Sequence, residues 1–425
     1  MLFLVLVAVL IFFIVVGIPV GFALGLSGIV GILTLLPFSS LLVLSQKVVK
    51  ETVSSHALMT IPMFLLMAEF LGAANITRDL LLACNKVMHR VRGGMAMACV
   101  LAGTVLAAAS GSSTATAATI SRAIYPTMKQ AGYSSSFAVG SIAISGTLAM
   151  MIPPSIAFVL YGLMTEYSIG KLFMAGILPG LLTAVGYIVV IWLTLWWRPE
   201  LGPKPGREAE LAATSERTQI WPIGLLITII FTALYSGVAT PTEIAAIGAC
   251  GALIICLFLR RLSWFNITSS FSNALRTTAM IITIIFSAHM FGYFVSFSRI
   301  TDTLLQWIDG SGFPPIGVVM LLVFMYLLLG MLMDQAAIMI LTAPITAPLV
   351  VGLGYDPIWW GVIIVKTSEI GMVTPPVGLN VYVAAAACKT SLSSAFKGIT
   401  PFVVMDLLIL ALLIAVPSLP LLLVR

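Results

Sequence analysis

The sequence predicts an all-α polytopic membrane protein, organised as an inverted repeat with two re-entrant helical hairpins and two proline-broken helices. Three observations predict this. Of the 425 residues, 60% are hydrophobic and 8% charged, whereas a soluble domain carries roughly a quarter charged residues. Apolar runs of about 18 residues or more, long enough to cross the hydrocarbon core, recur along the whole chain. Finally, the chain twice places a double proline inside an apolar run, in MIPPSIAFVLYG (151–162) and MVTPPVGLNVY (372–382). Lipid offers no partner for the backbone groups that a proline leaves unbonded, so such breaks need a purpose.

Taken in order, full spans are expected at 2–18, 20–36, 57–75, 137–166, 170–197, 219–237, 241–259, 277–297, 357–386 and 399–424. The first run continues past Pro19 without a small-residue cleavage site, so it reads as a span and not as a leader. Two further apolar regions, 93–128 and 314–352, carry polar or small residues in their middles: SGSSTATAAT at 110–119 and GMLMDQAA at 330–337. A polar stretch between two short apolar arms suits a re-entrant hairpin whose tip is buried in protein. Stretches 37–56, 76–92 and 260–275 read as amphipathic helices lying at the interface.

Lysine and arginine set the orientation. Of the 21, Lys47, Lys50, Lys171, Arg299 and Arg425 fall on one side and Lys366 falls within a span, leaving fifteen on the other. The richer side is cytoplasmic, which puts both termini outside. The net charge of +6 is this bias and does not mark a nucleic-acid binder. The five cysteines (Cys84, Cys99, Cys250, Cys256, Cys388) show no metal spacing and read as small packed residues.

The two breaks belong to a repeat. AGYSSSFAVGSIAISGTLAMMIPPS from Ala131 aligns with LGYDPIWWGVIIVKTSEIGMVTPPV from Leu353 at an offset of 222, which also superposes Pro126 on Pro348. Upstream, ITRDLL from Ile76 matches ITDTLL from Ile300. Five predicted crossings separate the starts of the two units, and an odd number inverts the second. Inverted repeats with paired broken helices place a binding site near the bilayer midplane.

An unwound proline turn frees carbonyls that can ligate a cation, and half-helix N-termini offer N–H groups to an anion. Hydroxyls, carbonyls and a carboxylate are the hard oxygen ligands that suit Na⁺. Sodium site one is expected from Ser110, Ser112 and Gly146 with the carbonyls from Met150 to Pro153. Sodium site two is expected from Asp334 and Ser368 with the carbonyls from Met372 to Pro375. Substrate contacts are expected from Ser113, Thr114, Pro154, Thr374 and Asn380. Glycines 111, 146, 330, 371 and 378 would allow close backbone approach. Each assignment has a plainer alternative. The tip hydroxyls could simply ease helix contact, Asp334 could sit in a salt bridge or at the interface, and Asn380 could cap its half-helix. Lys366 and Glu369, three apart on one helix face, read as a mutually neutralising pair before a substrate contact. Glu69 and His289, in the spans that begin the two repeats, read as packing or inter-subunit contacts.

Together SGSSTATAAT, MIPPSIAFVLYG, TPTEIAAIGA (240–249), GYDPIWWGV (354–362) and GMVTPPVGLNVY (371–382) resemble the large membrane subunit of tripartite ATP-independent periplasmic (TRAP) transporters, over nearly the whole chain. The resemblance implies a scaffold plus an elevator-type transport domain in a bacterial inner membrane. It implies sodium-driven uptake of an organic acid, delivered by a periplasmic substrate-binding protein, with a separate small four-helix membrane subunit and no cofactor beyond the coupling Na⁺. On this reading 1–75 is scaffold, 76–197 the first repeat unit, 198–297 a cytoplasmic loop, scaffold hairpin and start of the second repeat, and 298–425 the second unit. VKTSEIG at 365–371 departs from the family, where a more neutral stretch, often with asparagine, is expected.

A stand-alone sodium-coupled carboxylate carrier would share this architecture without partner subunits. An intramembrane enzyme is disfavoured because no metal cluster or nucleophile–base pair falls in the spans. An ATP-driven pump would need a GxxxxGK[ST] loop, which is missing.

Overall fold

The computed structural model describes residues 16–204, 206–208 and 221–424, with residues 9, 12 and 13; the expected span 2–18 lies mostly outside the described residues. The described residues form helices and turns without a strand, and eight of the helices are long and apolar enough to cross a membrane. In chain order the α-helices as a whole are α1 (Val20–Leu35), α2 (Phe38–Ser54), α3 (Thr60–Ala73), α4 (Ile76–Met88), α5 (Gly94–Ser110), α6 (Ser113–Ala131), α7 (Ser135–Met151), α8 (Ile156–Thr165) and α9 (Ile169–Trp197). Then follow α10 (Trp221–Ser236), α11 (Pro241–Phe258), α12 (Trp264–Ser298), α13 (Ile300–Ser311), α14 (Pro315–Leu332), α15 (Gln335–Gly352), α16 (Pro357–Gly371), α17 (Leu379–Cys388), α18 (Leu392–Ala415) and α19 (Ser418–Leu421).

The repeat is visible element by element. Helices α4 to α9 correspond to α13 to α18, and the same local devices start and stop them. Asn75 and Arg299 adopt left-handed conformations just before α4 and α13, and Gly132 and Gly354 do so after α6 and α15. Ser134 caps α7 by accepting from the Phe137 N–H, and its counterpart Asp356 caps α16 by accepting from Ile358 at 2.7 Å and Trp359 at 3.2 Å. Ser168 and Ser391 cap α9 and α18. These side-chain oxygens satisfy N–H groups that a helix start leaves orphaned. Both Pro153–Pro154 and Pro375–Pro376 bonds are cis.

Two expected boundaries need correction. From Trp264 onward the stretches expected at 260–275 and 277–297 form one continuous helix, α12, of 35 residues; Arg276 between them is tolerated because it lies on an exposed face. At about 1.5 Å per residue α12 exceeds a hydrocarbon core of roughly 30 Å. The last span begins at Leu392, before the expected 399, because Ser391 caps it there, and it ends at Ala415 ahead of Pro417.

Helix packing falls into two groups. Helix α12 lies along α1, α2 and α3, and the α10–α11 pair closes against α3 through α11. In the other group both hairpin arms, α5 and α6, pack on α7, while α14 and α15 pack on α16. Each second arm also crosses to the opposite repeat, α6 onto α17 and α15 onto α8. Helices α7, α9, α16 and α18 meet at the centre. At the α7–α18 crossing the backbones touch: a Cβ on Gly398 would collide with the Ser136 carbonyl, and one on Gly140 with Gly398 itself. Small residues at such crossings let dispersion act where lipid removes any hydrophobic drive.

The connection after α9 straps the base of the first hairpin. Lys204 N–H bonds the Ala131 carbonyl at 2.9 Å, Ser134 N–H bonds that of Leu201 at 3.1 Å, and Arg92 reaches Pro199 at 3.2 Å. Buried Glu208 then accepts from the Met95 N–H at 2.9 Å, in the first turn of α5, and from the Tyr133 hydroxyl at 2.6 Å. Burial, and then the Glu208 charge beside it, pushes the Tyr133 phenol well above its ordinary pKa. Glu208→Ala would strand both donors, at a cost of roughly 1–3 kcal/mol. Hydrogen exchange at the first turn of α5 should accelerate in that variant by about 5- to 150-fold; unchanged exchange would mean that the strap does not hold the hairpin.

Candidate functional site

The first break opens between α7 and α8. Residues 152–155 are buried, with Ile152 and Ser155 extended, and Ser155 works in both directions. Its hydroxyl donates to the Met150 carbonyl and accepts from the Phe158 N–H, tying the end of one half-helix to the start of the next. Pro153 and Pro154 face Phe64, Phe231 and Ile244 of α3, α10 and α11, so this break lies against the first helix group. The second break, 372–378, contrasts with it: Pro375, Pro376 and Val377 are exposed. Here Met372 N–H bonds the Ser368 carbonyl at 3.0 Å, Asn380 N–H bonds that of Met372 at 3.2 Å, and the Thr374 hydroxyl bonds that of Ile370 at 2.6 Å. Gly378 turns the chain with a φ of 57°.

The hairpin tips meet the breaks in two ways. In the first hairpin Gly111 approaches its own repeat's break: a Cβ there would stand 3.1 Å from the Pro154 carbonyl oxygen. The Ser113 hydroxyl instead crosses the repeats, donating to Asn380 Oδ1 at 2.7 Å with both side chains buried. Ser112 is extended, and its carbonyl accepts from the Thr116 N–H at 3.1 Å and hydroxyl at 2.8 Å. Gly146 lets α7 close onto this tip, for a Cβ would stand 2.9 Å from the Ser113 carbonyl. Thr114 is half-buried, and the side chain of Ser110 lies outside the described residues. In the second hairpin, Gly330 and Gly371 bring α14 onto α16, with a Cβ on Gly330 standing 3.0 Å from the Ser368 carbonyl. Asp334 is exposed and caps α15, its Oδ1 accepting from the Ala337 N–H at 3.1 Å. Its repeat counterpart is Ser112, 222 residues earlier, which stands at the same N-cap position of α6 without a side-chain capping bond. No hydrogen bond joins Asp334 to Ser368, its expected partner in site two.

Among the described residues three buried polar atoms near these tips and breaks lack a hydrogen-bond partner: Ser368 Oγ, Asn380 Nδ2 and Gln335 Nε2. An unpaired buried polar group costs roughly 1–3 kcal/mol, so the fold retains them against its own stability. Ser368 offers an oxygen suited to a cation; Asn380 and Gln335 offer N–H donors suited to an anion. The sequence pointed to Ser368 and Asn380 because they flank a break, but Gln335 passed unnoticed beside Asp334.

The sequence also missed a buried charge cluster. Lys366 Nζ stands 2.6 Å from Asp406 Oδ1 and 3.3 Å from Glu369 Oε2, and it donates to Thr183 at 3.2 Å. The Lys366–Glu369 pair was expected; Asp406 was legible as a lone acid within the last predicted span, a position that is expensive without a partner.

A crevice of about 1610 Å³ separates the two helix groups, with Glu51, His289 and Tyr293 on one wall and Glu166, Pro344 and Pro348 on the other.

Removing the Ser113 hydroxyl isolates Asn380 Oδ1 in a dry site. Ser113→Ala should lower the melting temperature of the purified protein by the equivalent of about 1–3 kcal/mol, while Ser113→Thr, which keeps the donor, should lose less. Equal melting of Ser113→Ala and wild type would show that the cross-repeat bond does not form.

Comparison with known proteins places this geometry. Residues 7–419 match the family model described as the tripartite ATP-independent periplasmic transporter, DctM component. The chain is 35% identical to a C4-dicarboxylate TRAP transporter large permease protein DctM of Pseudomonas aeruginosa, over 92% of each chain. It is 32% identical to an isethionate TRAP transporter permease protein DctMQ of Oleidesulfovibrio alaskensis, covering 96% of this chain and 64% of that protein. Its fold is similar to that of the Alcanivorax borkumensis YdaH transporter, with a TM-score of 0.65 at 13% identity over 90% of this chain and 89% of that one. The Neisseria gonorrhoeae MtrF structure is similar too, with a TM-score of 0.62 at 14% identity over 90% and 85%.

Proposed function

This chain belongs to the DctM-component family of tripartite ATP-independent periplasmic transporters, and from that premise we propose that it is driven by sodium and imports a carboxylate or related organic acid handed over by a periplasmic binding protein. As a large permease subunit it is a transporter and not an enzyme. The observation that carries the coupling proposal is the set of unpaired buried groups. Ser368 Oγ, beside the second break, has an oxygen with no partner inside the protein. With the Ser368 and Met372 carbonyls, the carbonyl of Pro375 and the second oxygen of Asp334, it makes an all-oxygen set of the kind Na⁺ takes. The pseudo-equivalent set is Ser110, Ser112, Gly146 and the carbonyls from Met150 to Pro153, where Ser155 holds the break in shape.

Between these sets lie the substrate groups. Asn380 Nδ2 is an unused donor, oriented by the Ser113 hydroxyl on its Oδ1. Thr114, Thr374 and the backbone at Pro154 complete the polar wall, and the N-terminus of α17 adds favourable potential for a carboxylate. The crevice between the helix groups is the route in, and its opening and closing by an elevator-like slide of the α5–α9 and α14–α18 body past the other helices is the transport step. The lysine and arginine bias puts that crevice and both termini on the periplasmic side of the inner membrane.

A small four-helix subunit would brace the fixed group. The DctMQ relative is longer than its matched part, in keeping with a second membrane subunit on the same chain. Crosslinks from the small subunit should map to α1, α3 or α10–α12; crosslinks on the hairpins would overturn that assignment. Uptake by the purified chain alone, without partners, would favour a stand-alone carrier instead.

Reconstituted uptake should rise sigmoidally with sodium, since two ions bind per cycle, and a hyperbolic rise or equal uptake in potassium would count against the proposal. Asp334→Asn keeps the shape of the tip and its cap but removes a charge-assisted ligand worth roughly 1.5–3 kcal/mol, or about 10- to 150-fold in sodium affinity. Uptake should fall at low sodium and recover as sodium is raised. Wild-type sodium dependence in that variant would make the carboxylate a helix cap and nothing more.

A further inference from the structure

At the centre of the molecule four helices, two from each repeat, contribute one polar cluster. Thr147 comes from α7, Thr183 and Tyr187 from α9, Lys366 and Glu369 from α16, and Asp406 from α18, and all six are fully buried. The Tyr187 hydroxyl is its hub, 2.8 Å from both oxygens of Asp406, 3.3 Å from Glu369 Oε1 and 3.3 Å from Thr147 Oγ1. Its ring is held edge-on against Phe402, with centroids 5.9 Å apart, and under the Lys366 ammonium.

Two facts give the hub more than a packing role. Thr147 and Glu369 are repeat equivalents, 222 residues apart, and each adjoins a proposed cation ligand: Gly146 in site one, Ser368 in site two. The hub therefore bridges the half-helices that lead into the two breaks. Second, a hydroxyl has one proton to give. The Thr147 hydroxyl lies 2.7 Å from the Ile144 carbonyl, and when its proton goes there it accepts from Tyr187. Tyr187 must choose among Asp406, Glu369 and Thr147, and here the short bonds go to Asp406. A small displacement of either half-helix changes which acceptor is nearest, which gives the hydroxyl discrete alternatives and not a continuum.

We propose that Tyr187 is a positioning residue that couples the two cation sites, its hydroxyl passing a shift of α7 at Gly146 to α16 at Ser368 and the reverse. The inference rests on the two-site sodium reading above. An ion that draws in the Gly146 backbone moves Thr147 against the hub; the hub transfers that movement to Glu369 and so sets Ser368 for the second ion. The coupling is reciprocal, as linkage requires.

The test is proteoliposome uptake across a sodium series for wild type, Tyr187→Phe, Thr147→Val, Thr147→Ser and the double variant Tyr187→Phe/Thr147→Val. Phenylalanine keeps the ring against Phe402 and removes only the hub oxygen. The sodium dependence should flatten toward a Hill coefficient of about one, with half-saturation raised by roughly fivefold or more. Thr147→Val should reproduce this, and the double variant should add little to either single change because both cut one link. Thr147→Ser should keep the wild-type curve. A merely structural role would lower expression and melting temperature without changing steepness. If Tyr187→Phe does not fold, Thr147→Val, which leaves every charged side chain of the cluster in place, carries the same expectation. A sigmoidal wild type with equally sigmoidal Tyr187→Phe and Thr147→Val overturns the coupling and leaves the two sodium sites standing. A hyperbolic wild type overturns the two-site reading, and this inference with it.

Discussion

An unwound backbone inside a membrane has to be covered by protein, because lipid cannot bond its N–H and C=O groups. Most of this fold follows from that constraint. Each proline break needs a lid, and each lid is a hairpin whose own tip is an interruption that needs cover in turn. The chain meets both needs at once by letting tips and breaks cover one another across the repeats. Ser113 bonds Asn380, α6 lies on α17 and α15 on α8. Glycines do the rest where no side chain would fit, at Gly111 beside Pro154 and at the Gly330–Gly371 contact.

The same constraint explains why the two breaks are not alike. The first is enclosed by Phe64, Phe231 and Ile244 of the other helix group, and Ser155 closes its loose carbonyl at Met150. The second has exposed prolines and solves its bonding within itself, through Met372, Thr374 and Asn380. Both breaks find hydrogen bonds among their own flanking residues, and they differ in their cover, which is apolar side chains of the other helix group at the first and open space at the prolines of the second. The inverted halves therefore share a plan while presenting different faces.

Much of this was legible in the sequence because it is local. The double prolines, the polar tips and the offset of 222 all reside in short stretches, and they led to the helix pairs and to Ser112, Ser113, Ser368 and Asn380. What stayed hidden depends on contacts between distant segments. Glu208 sits in a polar connection, and nothing near it says that its carboxylate enters the first turn of α5. Asp406 and Lys366 are 40 residues apart, so only the cost of burying each alone hinted that they meet. The Arg261–Asp79 pair, at 2.6 Å, joins the connection before α12 to α4 across 182 residues. Helix α12 was cut in two because Arg276 interrupted a hydropathy run, whereas an exposed face accommodates it.

The equivalence of Thr147 and Glu369 bears on how such a molecule could arise. When a gene duplicates and its halves fold face to face, positions close to the rotation axis confront their own copies. Identical residues there would set like against like: two carboxylates, or two ammonium groups, with no water to separate them. The cluster of Lys366, Glu369, Asp406 and Tyr187 avoids this, because at the offset of 222 Glu369 answers to Thr147 and Lys366 to Ile144. The halves thus differ at the centre, while capping positions such as Ser168 and Ser391 and the double prolines keep the same residues in both. The heart of the protein is where its ancestry is least readable, and the periphery of each half is where it is preserved.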